Sequence, residues 1–121
     1  MSHMIFGFDG DEQTVAGHTQ SLAAWFDDTE NLARAEITKL SRPPVPGRQG
    51  AFDEALRVYA ESGQVLAAAL TAYCNWLLYR VKSRSVPVKV TCPNGVEITA
   101  TARSEQDVPR IKAKILRDCA M

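Results

Sequence analysis

The densest apolar pattern in the chain runs through residues 52–84. Phe52, Leu56, Tyr59, Gly63, Leu66, Leu70, Tyr73 and Leu77 recur at steps of four and three, the spacing of one helical face. Val65, Ala69, Ala72, Trp76 and Tyr79 make a second apolar line beside it over the latter half. With both lines filled, residues 65–79 need cover on more than one side: a sheet on one, and something further on the other. A basic run, Arg80, Lys82 and Arg84, closes the pattern, and Pro87 bars helical continuation. Ser62-Gly63 is a weak point, because glycine costs about 1 kcal/mol inside a helix. The pattern leaves open whether the helix breaks there or runs on.

Around this segment the spacing predicts shorter elements. Residues 4–8 form an apolar strand closed by Asp9-Gly10-Asp11. A helix follows, capped by Asp11 or Thr14, with Val15, His18, Leu22, Trp25 and Phe26 on one face and Asp27-Asp28 at its end. Residues 33–40 read as a second strand with Ala33, Ala35, Ile37 and Lys39 on one side, and Pro43-Pro44-Val45-Pro46-Gly47 as a stiff, non-helical connector. After the long helix, Val88, Val90 and Cys92 alternate with Lys89 and Thr91, then Val96, Ile98 and Ala100 alternate behind Pro93-Asn94-Gly95, a hairpin signal. A last helix, capped by Ser104 or Asp107 with Pro109 in its first turn, aligns Val108, Ile111, Ile115 and Cys119. The expected architecture is α+β: a two-layer sandwich, a four-stranded mixed sheet with helices on one face, order β-α-β-α-β-β-α. Its first β-α-β unit should pair parallel strands through a right-handed crossover.

Length changes little: 121 residues make one domain, large enough to bury a core unaided. Met1-Ser2-His3 resembles an expression-vector remnant, leaving residues 4–121 as the domain. The zero net charge hides an asymmetry: residues 1–61 hold ten acids and five Lys/Arg, for −5, and residues 62–121 hold four and nine, for +5. Such a dipolar chain could stack head to tail, or offer its C-terminal half to an anionic partner. Three scattered cysteines, Cys74, Cys92 and Cys119, favour reduced intracellular thiols and a cytoplasmic location, with Cys74 and Cys119 as packing residues. The apolar stretch 65–79 is short of the roughly twenty residues that a bilayer requires.

The residue inventory offers little chemistry. His18, Ser21 and Asp11 lie along one helix and cannot converge as a nucleophile, base and orienting acid must. No cysteine and histidine spacing suits a metal, and Asp9-Gly10-Asp11-Glu12 reads as a turn and cap rather than a calcium loop. Gly7-Phe8-Asp9-Gly10-Asp11 sits where a phosphate loop would, but its carboxylates repel phosphate. No catalytic residue, cofactor or metal is therefore expected. Nucleic-acid binding is the alternative: Arg80, Lys82, Arg84 and Lys89 cluster at one junction, and Arg110, Lys112, Lys114 and Arg117 lie on the last helix. Against it, the predicted sheet lacks aromatic platforms for bases.

Four segments resemble, in order, the bacterial effector-associated constant component family. Gln20-Ser21-Leu22-Ala23-Ala24-Trp25-Phe26 resembles its "s-L-r-x-W-L" helix, and Pro44-Val45-Pro46-Gly47-Arg48-Gln49-Gly50-Ala51 its "P-x-P-G-x-x-G-A" connector. Trp76-Leu77 and Arg80 stand where its Ala-rich segment ends in "W-L-x-x-R". Val88-Lys89-Val90-Thr91-Cys92-Pro93-Asn94-Gly95-Val96-Glu97-Ile98 resembles its "V-x-V-T-x-P-x-G-x-x-V" hairpin. The resemblance implies a small non-catalytic adaptor that couples to an effector, such as a peptidase encoded nearby, in a bacterial conflict or antiviral immunity system.

Taken with the long apolar helix, this makes an interaction protein the leading expectation, with an effector as partner and self-association into a homo-oligomer as a route. Neither nucleic acid nor membrane is an expected partner. The expected interface is the end of the long helix, with Tyr73, Trp76, Leu77 and Tyr79 as apolar anchors and Arg80 and Arg84 at the rim. On that reading, Trp76→Ala with Tyr79→Ala abolishes association and leaves the fold intact.

Overall fold

The structure, a computed structural model, describes residues 2–32, 35–42 and 53–119. The chain runs β1 (Ser2–Phe8), α1 (Glu12–Asp27), a single 3-10 turn (Glu30–Leu32), β2 (Glu36–Arg42), β3 (Asp53–Ala60), α2 (Gly63–Arg80), β4 (Val86–Thr91), β5 (Glu97–Ala102) and α3 (Asp107–Asp118). The connector predicted at Pro43–Gly47 lies outside the described residues, as does Ala33.

The α+β class holds, with one strand more than expected. Residues 53–60 are β3, not the first half of a long helix. Leu56, Val58 and Ala60 are buried while Arg57 is exposed and Tyr59 half-buried, a period of two hidden under helix-favouring Glu, Ala and Leu. Ser62 then caps α2, its hydroxyl accepting from the Gln64 N–H at 3.2 Å, so Gly63 opens the helix instead of interrupting it. The five strands take the order β2-β3-β1-β4-β5 and every pairing is antiparallel. The expected parallel pairing of β1 with β2 does not form. Both strands run antiparallel to β3, which lies between them. β1 begins before Met4, with Ser2 opposite Ala60 and His3 opposite Tyr59.

Alternation places Met4, Phe6, Phe8, Leu56, Val58, Val88, Val90 and Ile98 on one face, under the helices. Phe6 meets Phe26 of α1 edge-on at 5.7 Å and Tyr73 of α2 at 4.5 Å. Helix α2 packs against both α1 and α3, so it is the middle of the helical layer. This is the second-side cover that its two apolar lines demand, and it comes from the chain itself. A buried carboxylate on this face, Glu54, is held by an ion pair, with Lys39 Nζ 2.6 Å from Oε1.

At the other end of the sheet the hairpin turns through Gly95, whose φ of +89° suits glycine, and Asn94 Oδ1 accepts from the Val96 N–H at 3.0 Å. Cys92, at the end of β4, forms a disulfide with Cys119 after α3, across a Cα–Cα distance of 5.2 Å. This corrects the expectation of three reduced thiols. Ranking the cysteines by sequence spacing could not see that the hairpin turn and the end of α3 meet. α3 itself starts at Asp107, with no side-chain cap from Ser104. The Asp107 carboxylate instead accepts from the backbone N–H groups of Arg103 and Ser104 at 2.9 and 3.3 Å.

Candidate interaction surface

Each residue expected to anchor an interface has a definite place, and three of them face inward. Tyr73, Trp76 and Leu77 are all 0% exposed. Trp76 stands between the sheet and α1, 5.4 Å from the Phe8 ring and edge-on to His18 at 6.0 Å. Its indole Nε1–H donates to Ser21 Oγ of α1 at 3.0 Å, which satisfies the one polar group it carries. These three side chains form the domain's own core and are not available as surface anchors. The reason is geometric: α1 on one flank of α2 and α3 on the other cover both apolar lines except at Tyr79.

The remaining three lie at the surface. Tyr79 is 60% exposed, Arg84 is exposed and Arg80 is half-buried. Tyr79 is stacked on Trp25 of α1 at 5.9 Å with the rings 25° apart, so an aromatic pair spans the top of the α1–α2 contact. Trp25 is half-buried, although helical spacing assigns it to the buried stripe. Beside this pair, Trp25, Asp28, Thr29, Ala68, Thr71, Ala72 and Asn75 line a groove of about 570 Å³.

The Arg80 side chain reaches back across α1. Its terminal nitrogen lies 3.8 Å from where a Cβ on Gly17 would stand, and its Nε–H donates to His18 Nδ1 at 3.2 Å. A nitrogen that accepts from a guanidinium is unprotonated, so the His18 proton sits on Nε2. Burial pushes the His18 pKa down from 6.5 to about 4, and the charges of Arg80 and Arg84 push the same way. Between those two values the unfolded chain takes up a proton that the folded chain refuses, so stability falls as pH drops from about 7 towards 4. We expect the imidazole C–H resonances of His18 to stay flat from about pH 8 to pH 5, while the thermal midpoint already declines over the lower part of that range. A His18 titration near 6.5 would show the ring to be solvated instead.

The groups that could perform chemistry are held in structural contacts. Ser21 Oγ is engaged by Trp76, His18 Nδ1 by Arg80, and Asp11 Oδ1 accepts from the Thr14 N–H at 2.8 Å as the α1 cap. Cys74 is buried and its thiol is pushed up to about 11 by burial, away from nucleophilic character. Among the described residues no group of three His, Cys, Asp or Glu side chains could hold a metal ion, and no helix is long and apolar enough to cross a membrane.

The basic residues are divided. Lys82 lies 3.7 Å from Glu105, Lys89 3.8 Å from Glu97 and Arg117 3.4 Å from Asp118. The uncovered face of the sheet carries a shallow depression of about 170 Å³ lined by Ile5, Gly7, Leu40, Ala55, Lys89 and Glu97, among others. Gly7 keeps its floor low, since a Cβ there would come within 3.3 Å of the Lys89 carbonyl oxygen.

No curated protein matches this chain. Among solved structures, a phage SAM lyase in complex with S-methyl-5'-thioadenosine is similar at 16% identity, over 86% of this chain and 89% of that one. Its TM-score of 0.40 is too low to carry an argument about fold or activity. The family comparison is of a different order: the model of Effector Associated Constant Component 1 matches residues 9–118, from the end of β1 to the end of α3. The chain belongs to the Effector Associated Constant Component 1 family.

Proposed function

We propose that this protein is a non-catalytic adaptor that couples to an effector, of which a peptidase is one kind, in a bacterial conflict or antiviral immunity system. Family membership supports the association with an effector. The observation that carries the surface is Tyr79, a large aromatic left 60% exposed on a helix whose other large apolar residues are buried or half-buried. With Trp25 stacked behind it and Arg80 and Arg84 alongside, it has the aromatic and arginine content of an interface centre. The non-catalytic reading rests on His18, Ser21 and Asp11, each engaged in a contact that holds the fold. We place the adaptor in the cytoplasm with its effector. The buried Cys92–Cys119 bond would meet a reducing pool there, and burial slows exchange by restricting access to the sulfurs.

Co-expression of the tagged chain with the protein encoded beside it tests this. Tyr79→Ala with Arg84→Glu is expected to lower recovery of that protein about tenfold or more, because surface aromatics and arginines dominate interface energies. The thermal midpoint should stay close to that of the parent, since neither side chain is in the core. Equal recovery would move the interface elsewhere. Nucleic-acid binding is the weaker alternative, because Lys82, Lys89 and Arg117 each lie beside an acid.

A further inference from the structure

The two flanks of the helical layer carry opposite charge. Residues 9–32 contain six acids, Asp9, Asp11, Glu12, Asp27, Asp28 and Glu30, and no Lys or Arg, for −6. All six are exposed. Asp27, Asp28 and Glu30 gather at the C-terminal end of α1, which has no basic residue in its last turn. Carboxylates there face the negative end of the helix dipole, a placement that a single copy of the fold does nothing to favour. The α1–α2 groove opens at this same end, with Asp28 at its edge and Trp25, Ala68 and Ala72 supplying apolar wall.

On the opposite flank, α3 buries Val108, Ile111 and Ile115 and turns Arg110, Lys114 and Arg117 outward at steps of four and three, all three exposed. α3 as a whole holds four basic residues, Arg110, Lys112, Lys114 and Arg117, against Asp107 and Asp118, for +2. Because α2 packs against both α1 and α3 and so lies between them, one copy cannot bring its own acidic and basic flanks together.

We propose that copies of this chain associate head to tail, the α1 flank and α1–α2 groove of one copy receiving the basic outer stripe of α3 from the next. Charge complementarity selects this occupant. A two-fold pairing through either flank would set like charges against each other, whereas the heterologous contact sets Asp27, Asp28 and Glu30 against the α3 stripe. Trp25 presents an aromatic surface to an incoming guanidinium, and the aliphatic stems of arginine and lysine cover Ala68 and Ala72. Such a contact leaves a free flank at each end, so assembly grows with concentration and does not stop at two. It deepens the adaptor reading by supplying a way to cluster effectors, but it is tested on the purified chain alone, so its failure is separable from a failure of effector capture.

The experiment is light scattering across a concentration series at about 0.05 and 0.5 M salt, conditions between which charge contacts at a surface are largely screened. The mass should rise with concentration at low salt, and the association constant should fall about tenfold or more at high salt. Asp27→Lys with Asp28→Lys should abolish association, as should Arg110→Glu with Lys114→Glu. An equal mixture of the two variants should restore association as pairs of unlike copies, because the unaltered α3 stripe of the first still meets the unaltered α1 flank of the second. A mass that stays monomeric at every concentration overturns the proposal. So does association that ignores both reversals, or variants that remain folded by circular dichroism and fail to associate when mixed.

Discussion

Trp76→Ala should unfold or nearly unfold the domain, at a cost of about 3–5 kcal/mol. The indole is fully buried, touches the rings of Phe8, Tyr73 and His18, and spans from the sheet to α1. Truncating it removes that contact area and leaves a void beside Phe8 that neither the sheet nor α1 can close without moving. The lost hydrogen bond to Ser21 adds less, since Ser21 is half-buried and can turn to water. Against a typical domain stability of about 5–15 kcal/mol, the loss is a large share of the total. Urea denaturation of Trp76→Ala and Trp76→Phe measures it, with phenylalanine expected to recover part of the cost. If Trp76→Ala kept the parent's midpoint, the indole could not be packed as described. The same experiment removes Trp76 from any interface scan: a loss of partner binding in that variant reports unfolding, whereas Tyr79→Ala reports the surface.

Reducing the Cys92–Cys119 bond should lower stability by about 3–4 kcal/mol, the chain-entropy value for a loop of this length. The two residues are 27 apart in sequence, and the bond fastens the β4–β5 turn to the end of α3. Without it, α3 is held to the sheet mainly by Val108, Ile111 and Ile115, and the Asn94 amide loses a fixed position for its hydrogen bond to the Asp118 carbonyl at 3.2 Å. Calorimetry with and without a phosphine reductant should show the midpoint falling by several degrees or more in the parent. Cys92→Ala with Cys119→Ala should start low and ignore the reductant, and Cys74→Ala should keep the full response, because Cys74 is free. No response in the parent would mean the thiols are already reduced in the purified protein, which intact-mass measurement reads directly. Since the cytosol keeps most thiols reduced, the state of this bond in protein taken from cells also reports on the proposed cytoplasmic location.

Much of the fold was legible in the sequence, and the exceptions have particular causes. α1 with Asp11 as its cap, the hairpin through Gly95, and α3 with Val108, Ile111 and Ile115 inward all follow from local spacing and turn chemistry. Residues 53–60 are ambiguous in sequence, because Leu56 and Tyr59 satisfy a helical step as readily as Leu56, Val58 and Ala60 satisfy a strand step. Helix-forming side chains tip that ambiguity the wrong way, and only the neighbouring strands β1 and β2, which flank β3, resolve it. Placing β3 there also turns the expected mixed sheet into an antiparallel one. The exposure of the six residues expected at an interface was half legible. Tyr79, Arg80 and Arg84 are at least partly at the surface, and Trp25 joins them because its ring stacks on Tyr79 across the α1–α2 contact.

By itself, the sequence determined that the chain makes an α+β domain, that residues 65–79 form a helix covered on more than one side, and that charge is split between its halves. These follow from periodicity, capping and composition, which are local quantities. Tertiary structure alone decided what covers that helix, which cysteines meet, and on which flanks the opposite charges lie. Those depend on which distant segments become neighbours, and burial of the same apolar side chain satisfies its hydrophobic demand whether the cover comes from its own chain or from another.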